Sequence, residues 1–147
     1  MIQCKQNCDP QLASPEKHLV KKISETVLTD HKVQDGDVSF IFGSDELLAS
    51  LKKEFFQQDH WTDVIAFRLN DYKETHVEGE IYISLPRAKE NAEEFGESFE
   101  KEVARLIVHG TLHLLGLEDE MEKQKDTMRK TEEKYLNLVN WELLFGE

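Results

Sequence analysis

Residues 109–119 read HGTLHLLGLED, a helical segment that carries two histidines and ends in a turn. Residues four apart on an α-helix lie on one face, so His109 and His113 are placed to bind one metal ion together. Gly116 predicts the end of this helix, because a glycine there can adopt the left-handed conformation that reverses the chain. The reversal brings Asp119 back towards the imidazoles. The segment therefore predicts a metal site with His109, His113 and Asp119 as ligands.

This ligand set is typical of a catalytic zinc site. Two imidazoles and one carboxylate leave the fourth position of a zinc ion open, and an open position is what hydrolysis needs. We therefore predict one zinc ion as the cofactor. Zinc proteases of the His-Glu-x2-His kind carry a glutamate directly after the first histidine, whereas this chain carries Gly110. Glu80, Glu118 and Glu120 are alternative general bases, and the sequence does not select one of them as catalytic.

Composition limits the remaining functions. The 147 residues are enough for one domain with its own core, predicted over residues 1–147, and the net charge of −12 argues against a broad nucleic-acid-binding surface. Cys4 and Cys8 are interpreted as free thiols. The sequence shows neither a signal peptide nor an apolar stretch of membrane length, which predicts a cytoplasmic protein with no membrane partner. Local RNA contacts remain open at a few basic side chains, namely Lys17, Lys21, Lys22, Lys52, Lys53, Arg68, Arg87 and Arg105.

Apolar periodicity and capping residues predict the order of the elements. Helices are expected over residues 15–30, from Ser44 to about Phe55, after Pro86, from Ser98 through the histidines, and over residues 121–138, where Met128 and Tyr135 face inward. Strands are expected over residues 38–42, 62–69 and 77–84. Gly110, inside the histidine helix, costs about 1 kcal/mol relative to alanine, which indicates close packing there. The order favours a single α+β domain with a small mixed sheet of about four strands, about five helices and a zincin-like metal helix.

Three segments resemble the YbeY endoribonuclease family. HGTLHLLG at residues 109–116 is similar to the family signature, TDVIAF at residues 62–67 to its Thr-Asp-Val-Leu-Ser-Phe, and GEI at residues 79–81 to its Gly-Asp-Ile. The resemblance implies an α+β domain with one zinc ion that cleaves single-stranded RNA. It also implies a role in rRNA maturation, at the 3′ end of 16S rRNA, and in ribosome quality control, with a ribosomal particle or small-subunit proteins as partners.

The resemblance assigns residues with two departures from the usual motif. His109 and His113 match the first two metal histidines, whereas Asp119 stands where the commonest motif has its third histidine. Phe56 stands where the family has an arginine credited with a role in cleavage, and Lys52 and Lys53 lie one helical turn away. Two alternatives therefore stay open: a metal-dependent peptidase or other hydrolase, and a non-catalytic ribosome-assembly factor whose metal is structural.

Overall fold

A computed structural model describes residues 1–58 and 61–146 of the chain; residues 59, 60 and 147 of the predicted domain lie outside this range. The described residues form one mixed sheet and five α-helices around a shared hydrophobic core. In chain order the elements are β1 (Ile2–Cys8), α1 (Lys17–Asp30), β2 (Gly36–Gly43), α2 (Asp45–Phe56), β3 (Val64–Arg68), β4 (Val77–Ser84), α3 (Leu85–Phe95), α4 (Phe99–Leu114) and α5 (Glu122–Leu136), followed by a short 3₁₀ turn. The predicted α+β class is confirmed.

The sheet has the order β1-β2-β4-β3. Strands β1, β2 and β4 run parallel, and β3 pairs antiparallel with β4 at one edge. Successive side chains of a strand point to opposite faces. Because Ile81 of β4 contacts α4, its neighbours Glu80 and Tyr82 lie on the other face. The cross-strand partner of Glu80 is Phe67, which therefore lies on that face too.

Strand β1 is the element for which the sequence analysis gave no location. Its residues are mostly polar, and only Ile2 is buried. Its position is set by parallel pairing with β2, from Ile2 beside Gly36 to Cys8 beside Phe42. Cys4 and Cys8 are free thiols, and burial raises the pKa of Cys4 to about 11. β1 completes the four strands that were expected.

Helix α4 lies at the centre of the core. The helix packs against α1, α3, α5 and the sheet, and its inner residues are almost completely buried: Val103, Ala104, Leu106, Ile107, Val108, Thr111, Leu112 and Leu114. A Cβ atom on Gly110 would lie 2.6 Å from the Cγ2 atom of Ile81. This contact explains the glycine in mid-helix, because only a residue without a side chain lets the helix approach the sheet so closely. The close packing expected at Gly110 is therefore present.

Several element ends differ from their predicted positions. Helix α1 begins at Lys17 rather than at Pro15. The side-chain amide of Gln6 in β1 donates to the Pro15 carbonyl at 2.8 Å, and the backbone amide of Glu16 donates to the Leu144 carbonyl at 2.6 Å. These tertiary contacts hold Pro15 and Glu16 in an extended conformation. Strand β3 and helix α5 are each shorter than predicted. Within the described residues, no helix is both long enough and apolar enough to cross a bilayer.

Candidate metal centre

The end of α4 reverses the chain as the glycine predicts. Gly116 has a φ of +92°, in the left-handed region. The Gly116 amide donates to the His113 carbonyl at 3.0 Å, and the Leu117 amide donates to the Leu112 carbonyl at 3.2 Å. These two bonds satisfy carbonyls that the helix end would leave unpaired. The turn directs the following residues, including Asp119, back across the end of the helix.

His109, His113 and Asp119 meet at this turn. Their potential ligand atoms all lie within 4.8 Å of one another. The two Nε2 atoms are 3.0 Å apart, and the Asp119 carboxylate oxygens lie 3.3 Å from Nε2 of His109 and 3.4 Å from Nε2 of His113. Ligands about 2.0–2.1 Å from a tetrahedral zinc ion are about 3.3 Å from one another. The separations of the three side chains are therefore close to those expected around one metal ion of this kind.

Glu132 of α5 fixes the orientation of the first imidazole. Its Oε2 atom lies 2.5 Å from Nδ1 of His109, and the Glu132 side chain is only 3% exposed. A carboxylate accepts a hydrogen bond, so Nδ1 carries the proton and Nε2 presents its lone pair to Asp119 and His113. Carboxylate partners of this kind orient metal-binding histidines and raise their basicity. His109 is thus held in the tautomer that a metal ion requires.

Arg105, one helical turn before His109, neutralises the buried carboxylates around it. It donates to Glu132 at 3.0 Å and to Glu102 at 2.9 and 2.7 Å. Burial alone would lower the pKa of Arg105, but the hydrogen bonds and charges of these two carboxylates raise it. The guanidinium was a candidate RNA contact. Its contacts instead place it among the groups that support the histidine.

His113 is in a different environment, with no carboxylate at its Nδ1 atom among the described residues. Its side chain is 31% exposed, compared with 13% for His109. Burial lowers the pKa of His113, the neighbouring His109 adds to the effect, and the Asp119 charge opposes it. The neutral imidazole is favoured, and this is the form that can bind a metal ion.

A cavity of about 330 Å³ opens beside the cluster. His109 and Asp119 line one part of it, and Lys125 and Arg129 of α5 line another. Its remaining lining residues are Asp63, directly before β3, and seven residues of β3, α3, α4 and α5, namely Val64, Asn91, Phe95, Arg105, Leu106, Met128 and Glu132. The Asn91 amide donates to Asp63 at 2.9 Å and to Glu102 at 3.2 Å, which ties the start of β3 to α4. The cavity is large enough for a small part of a substrate to reach the cluster.

The three alternative general bases differ in their position relative to the cluster. Glu80 lies on the sheet face opposite α4, and the Tyr82 hydroxyl lies 3.5 Å from it. It therefore cannot act at the cluster. Glu118 and Glu120 are exposed on either side of Asp119. Glu118 also lines a second cavity together with His113.

Two of the other predicted basic contacts, both arginines, have structural roles. Arg68 donates to the Leu114 carbonyl at 2.8 Å, which stabilises the C-terminal end of α4, and Arg87 forms an ion pair with Asp45 at 3.0 Å. None of the remaining basic residues named above lines the cavity: Lys17, Lys21, Lys22, Lys52 and Lys53. Lys52 instead lies over the Phe56 ring, 4.9 Å from its centroid.

Phe56 belongs to an aromatic cluster on the outer face of the sheet. Its ring stacks on Phe67 with centroids 5.8 Å apart, and Phe55 meets the same ring edge-on at 5.4 Å. Phe56 is 43% exposed. The position that ungapped counting matches to an arginine of the family is therefore occupied by a side chain that packs against other aromatic rings.

Sequence reasoning missed Glu132, Lys125 and Arg129. All three lie on the side of α5 that carries Met128, since positions 125, 128, 129 and 132 form one helical stripe. Glu132 stands four residues after Met128 on a face predicted to be buried. A carboxylate at such a position requires a partner, and that signal could have indicated it.

The fold and the cluster define a class: an α+β protein whose central helix carries a His-x3-His pair that meets a carboxylate. The model of the family described as Endoribonuclease YbeY matches residues 2–140. The chain belongs to this family.

The alignments with its relatives cover most of both chains. An Endoribonuclease YbeY from Chloroherpeton thalassium is 38% identical over 122 residues, covering 83% of this chain and 84% of the relative. One from Carboxydothermus hydrogenoformans is 44% identical over 107 residues, covering 73% and 75%. The solution structure of a Thermotoga maritima protein matches with a TM-score of 0.60 and 29% identity, covering 93% of this chain and 87% of that one.

Proposed function

We propose that this protein is a zinc-dependent endoribonuclease that cleaves single-stranded RNA. The observation that carries the proposal is the meeting of His109, His113 and Asp119 at ligand distances, in a chain whose relatives are named endoribonucleases. We assign its biological substrate as rRNA, in maturation of the 16S 3′ end and in ribosome quality control, with a ribosomal particle or small-subunit proteins presenting the RNA. The acidic charge of −12 supports presentation by a partner, because the protein lacks the net positive charge that attracts RNA.

Nε2 of His109, Nε2 of His113 and the Asp119 carboxylate would hold the ion. When bound, zinc supplies an activated water nucleophile and a Lewis acid that polarises a phosphoryl oxygen. Glu132 keeps the His109 proton on Nδ1, and the hydrogen bond from Arg105 keeps Glu132 in place. The chain thereby presents a preorganised ligand set, which limits the reorganisation needed during the reaction.

A cleavage assay tests the proposal. Protein stripped with a chelator and then reloaded with zinc is incubated with a labelled single-stranded RNA and with the same sequence in a duplex. The expected result is cleavage of the single strand by the reloaded protein, none by the stripped protein, and none by a His113→Ala variant prepared in the same way.

Three results would contradict the proposal. Cleavage that persists equally in the stripped protein and in His113→Ala would exclude a role for the cluster. Hydrolysis of peptides without cleavage of RNA would favour the peptidase. Zinc-loaded protein that binds RNA or a ribosomal protein without turnover would favour the assembly factor.

A further inference from the structure

Two cations on α5 line the cavity of the metal centre, and neither side chain has a partner among the described residues. Lys125 and Arg129 are four residues apart, both are exposed, and both line the cavity that contains His109 and Asp119. Within residues 1–58 and 61–146, the side chain of neither residue forms a hydrogen bond or an ion pair. Their charges are therefore available to a ligand in this cavity.

The other arginines of the described chain differ from Arg129 in this respect. Arg105 lines the same cavity but is neutralised by Glu102 and Glu132. Arg68 donates to backbone carbonyls, and Arg87 is paired with Asp45 and Glu90. Arg129 is thus the guanidinium whose donors are not already used by the fold.

The chemistry of these two side chains matches a phosphodiester. A guanidinium can donate two parallel hydrogen bonds to phosphate oxygens, and a lysine ammonium adds a mobile point charge. The spacing of four residues places the two charges one helical turn apart on the same side of α5. In a protein of net charge −12, a polyanion needs such a local cationic contact in order to approach.

We propose that Lys125 and Arg129 bind the non-bridging phosphate oxygens of a single-stranded RNA and hold its backbone beside the His109, His113 and Asp119 cluster. This inference rests on the proposed function, since it names the groups through which the same site grips its substrate. Both are positioning residues. They act by holding the strand while the cluster carries the reaction.

The test compares two double variants of equal charge change. Lys125→Ala/Arg129→Ala removes the proposed contacts, whereas Lys123→Ala/Lys130→Ala removes two cations of α5 that do not line this cavity. Lys130 is an exposed partner of Asp126, at 3.3 Å. Alanine favours helix at every one of these positions, so both variants should fold, which circular dichroism checks.

The measurement is the dissociation constant of zinc-loaded protein for a labelled oligouridylate at several salt concentrations. Each lost phosphate contact should reduce the steepness of the log–log salt dependence by about 0.7, so the first variant should lose about 1.4 and bind about tenfold more weakly or worse at low salt. The control variant should keep the wild-type slope. In cleavage assays, the first variant should show a raised KM with a much smaller change in kcat.

An oligomer with an uncharged methylphosphonate backbone gives the complementary result. It should bind wild-type protein and Lys125→Ala/Arg129→Ala equally, because it offers no charge to the two cations.

Other outcomes would overturn the inference. A wild-type slope in Lys125→Ala/Arg129→Ala, while wild-type protein cleaves RNA, would refute the phosphate contact and leave the nuclease intact. If an acidic peptide binds tightly through the two cations and RNA does not, RNA is refuted as the ligand. Failure of wild-type protein to bind RNA at all would overturn the inference together with the proposed function.

Discussion

The two sides of helix α4 meet very different surroundings. On the sheet side, Gly110 lies against Ile81 so closely that even a methyl group would clash. On the other side, His109 meets the charged pair Arg105 and Glu132. The sheet side fixes where the helix lies, while the charged side fixes which nitrogen of His109 points at Asp119. Folding stability and metal affinity should therefore respond to different substitutions on one helix.

The largest expected effect is on metal affinity at the cluster itself. His113→Ala and Asp119→Ala each remove one of three ligands, so each should raise the zinc dissociation constant by more than the roughly 10- to 100-fold typical of losing an outer hydrogen-bond partner. Competition with a chromophoric chelator measures this constant. Asp119→His restores a ligand, and it should recover most of the affinity that Asp119→Ala loses. Equal affinities in all four proteins would show that the ion binds elsewhere.

The next effect concerns the partner of His109. Glu132→Gln removes the charge that holds the Nδ1 proton, and we expect zinc affinity to fall by about 10- to 100-fold. Glu133→Gln, at an exposed position next to it in α5, is the matched control and should leave affinity unchanged.

A purely structural role for Glu132 is excluded by a second measurement. Nitrogen-15 NMR of the histidine rings should show Nδ1-protonated His109 in wild-type protein and a mixture of tautomers in Glu132→Gln. The same tautomer and the same zinc affinity in both proteins would contradict the role given to this carboxylate.

On the sheet side the expected effect is on stability. Gly110→Ala places a Cβ atom 2.6 Å from Cγ2 of Ile81. Overpacking of this kind costs about 1–3 kcal/mol, and alanine regains about 1 kcal/mol of helix propensity, so a net loss of up to about 2 kcal/mol is expected. Urea unfolding measures it.

A second substitution identifies the clash. Leucine has no Cγ2 branch at Cβ, so Ile81→Leu combined with Gly110→Ala should recover part of the lost stability relative to the sum of the single variants. Strict additivity would show that the destabilisation arises elsewhere. Zinc affinity should stay close to wild type throughout.

The last expected effect on stability lies where α1 meets α4. Ser24 and Thr111 are fully buried, with their hydroxyls 3.0 Å apart, and Thr111 donates to the Ile107 carbonyl at 2.7 Å. Ser24 is therefore the donor to Thr111. Ser24→Ala should cost about 1 kcal/mol, and Thr111→Val about 1–3 kcal/mol because it leaves the Ser24 hydroxyl without its acceptor. The double variant should cost less than the sum in thermal unfolding, and additivity would mean that the two hydroxyls are not coupled.

The sequence predicted the ligand residues on and after α4 better than it predicted the residues that pack around them. Helical spacing and Gly116 predicted that His109, His113 and Asp119 would meet, since those signals are local. That they bind zinc stays a prediction. Glu132 lies 23 residues after His109, so its contact depends on how α5 docks, and helical spacing in one segment does not report docking.

Prediction of the sheet from local sequence patterns was limited in the same way. β2 and β4 carry alternating apolar residues and were located from sequence. β1 offers only Ile2 as a buried residue, and its extended conformation comes from pairing with β2. Arg105 was interpreted from its charge as a possible RNA contact, because the two carboxylates that neutralise it are brought together by tertiary packing. The match of Phe56 to an arginine of the family stays a prediction, and its stacking on Phe67 required the structure.

The most direct test is zinc K-edge X-ray absorption on wild-type protein loaded with one equivalent of zinc, beside Asp119→Ala. The account predicts a first shell of nitrogen and oxygen near 2.0–2.1 Å, with outer-shell scattering from two imidazoles, and one protein oxygen fewer in the variant. Sulfur at about 2.3 Å would place the ion on Cys4 or Cys8 instead. That result, or an identical shell in Asp119→Ala, would contradict the metal centre on which the proposed nuclease rests.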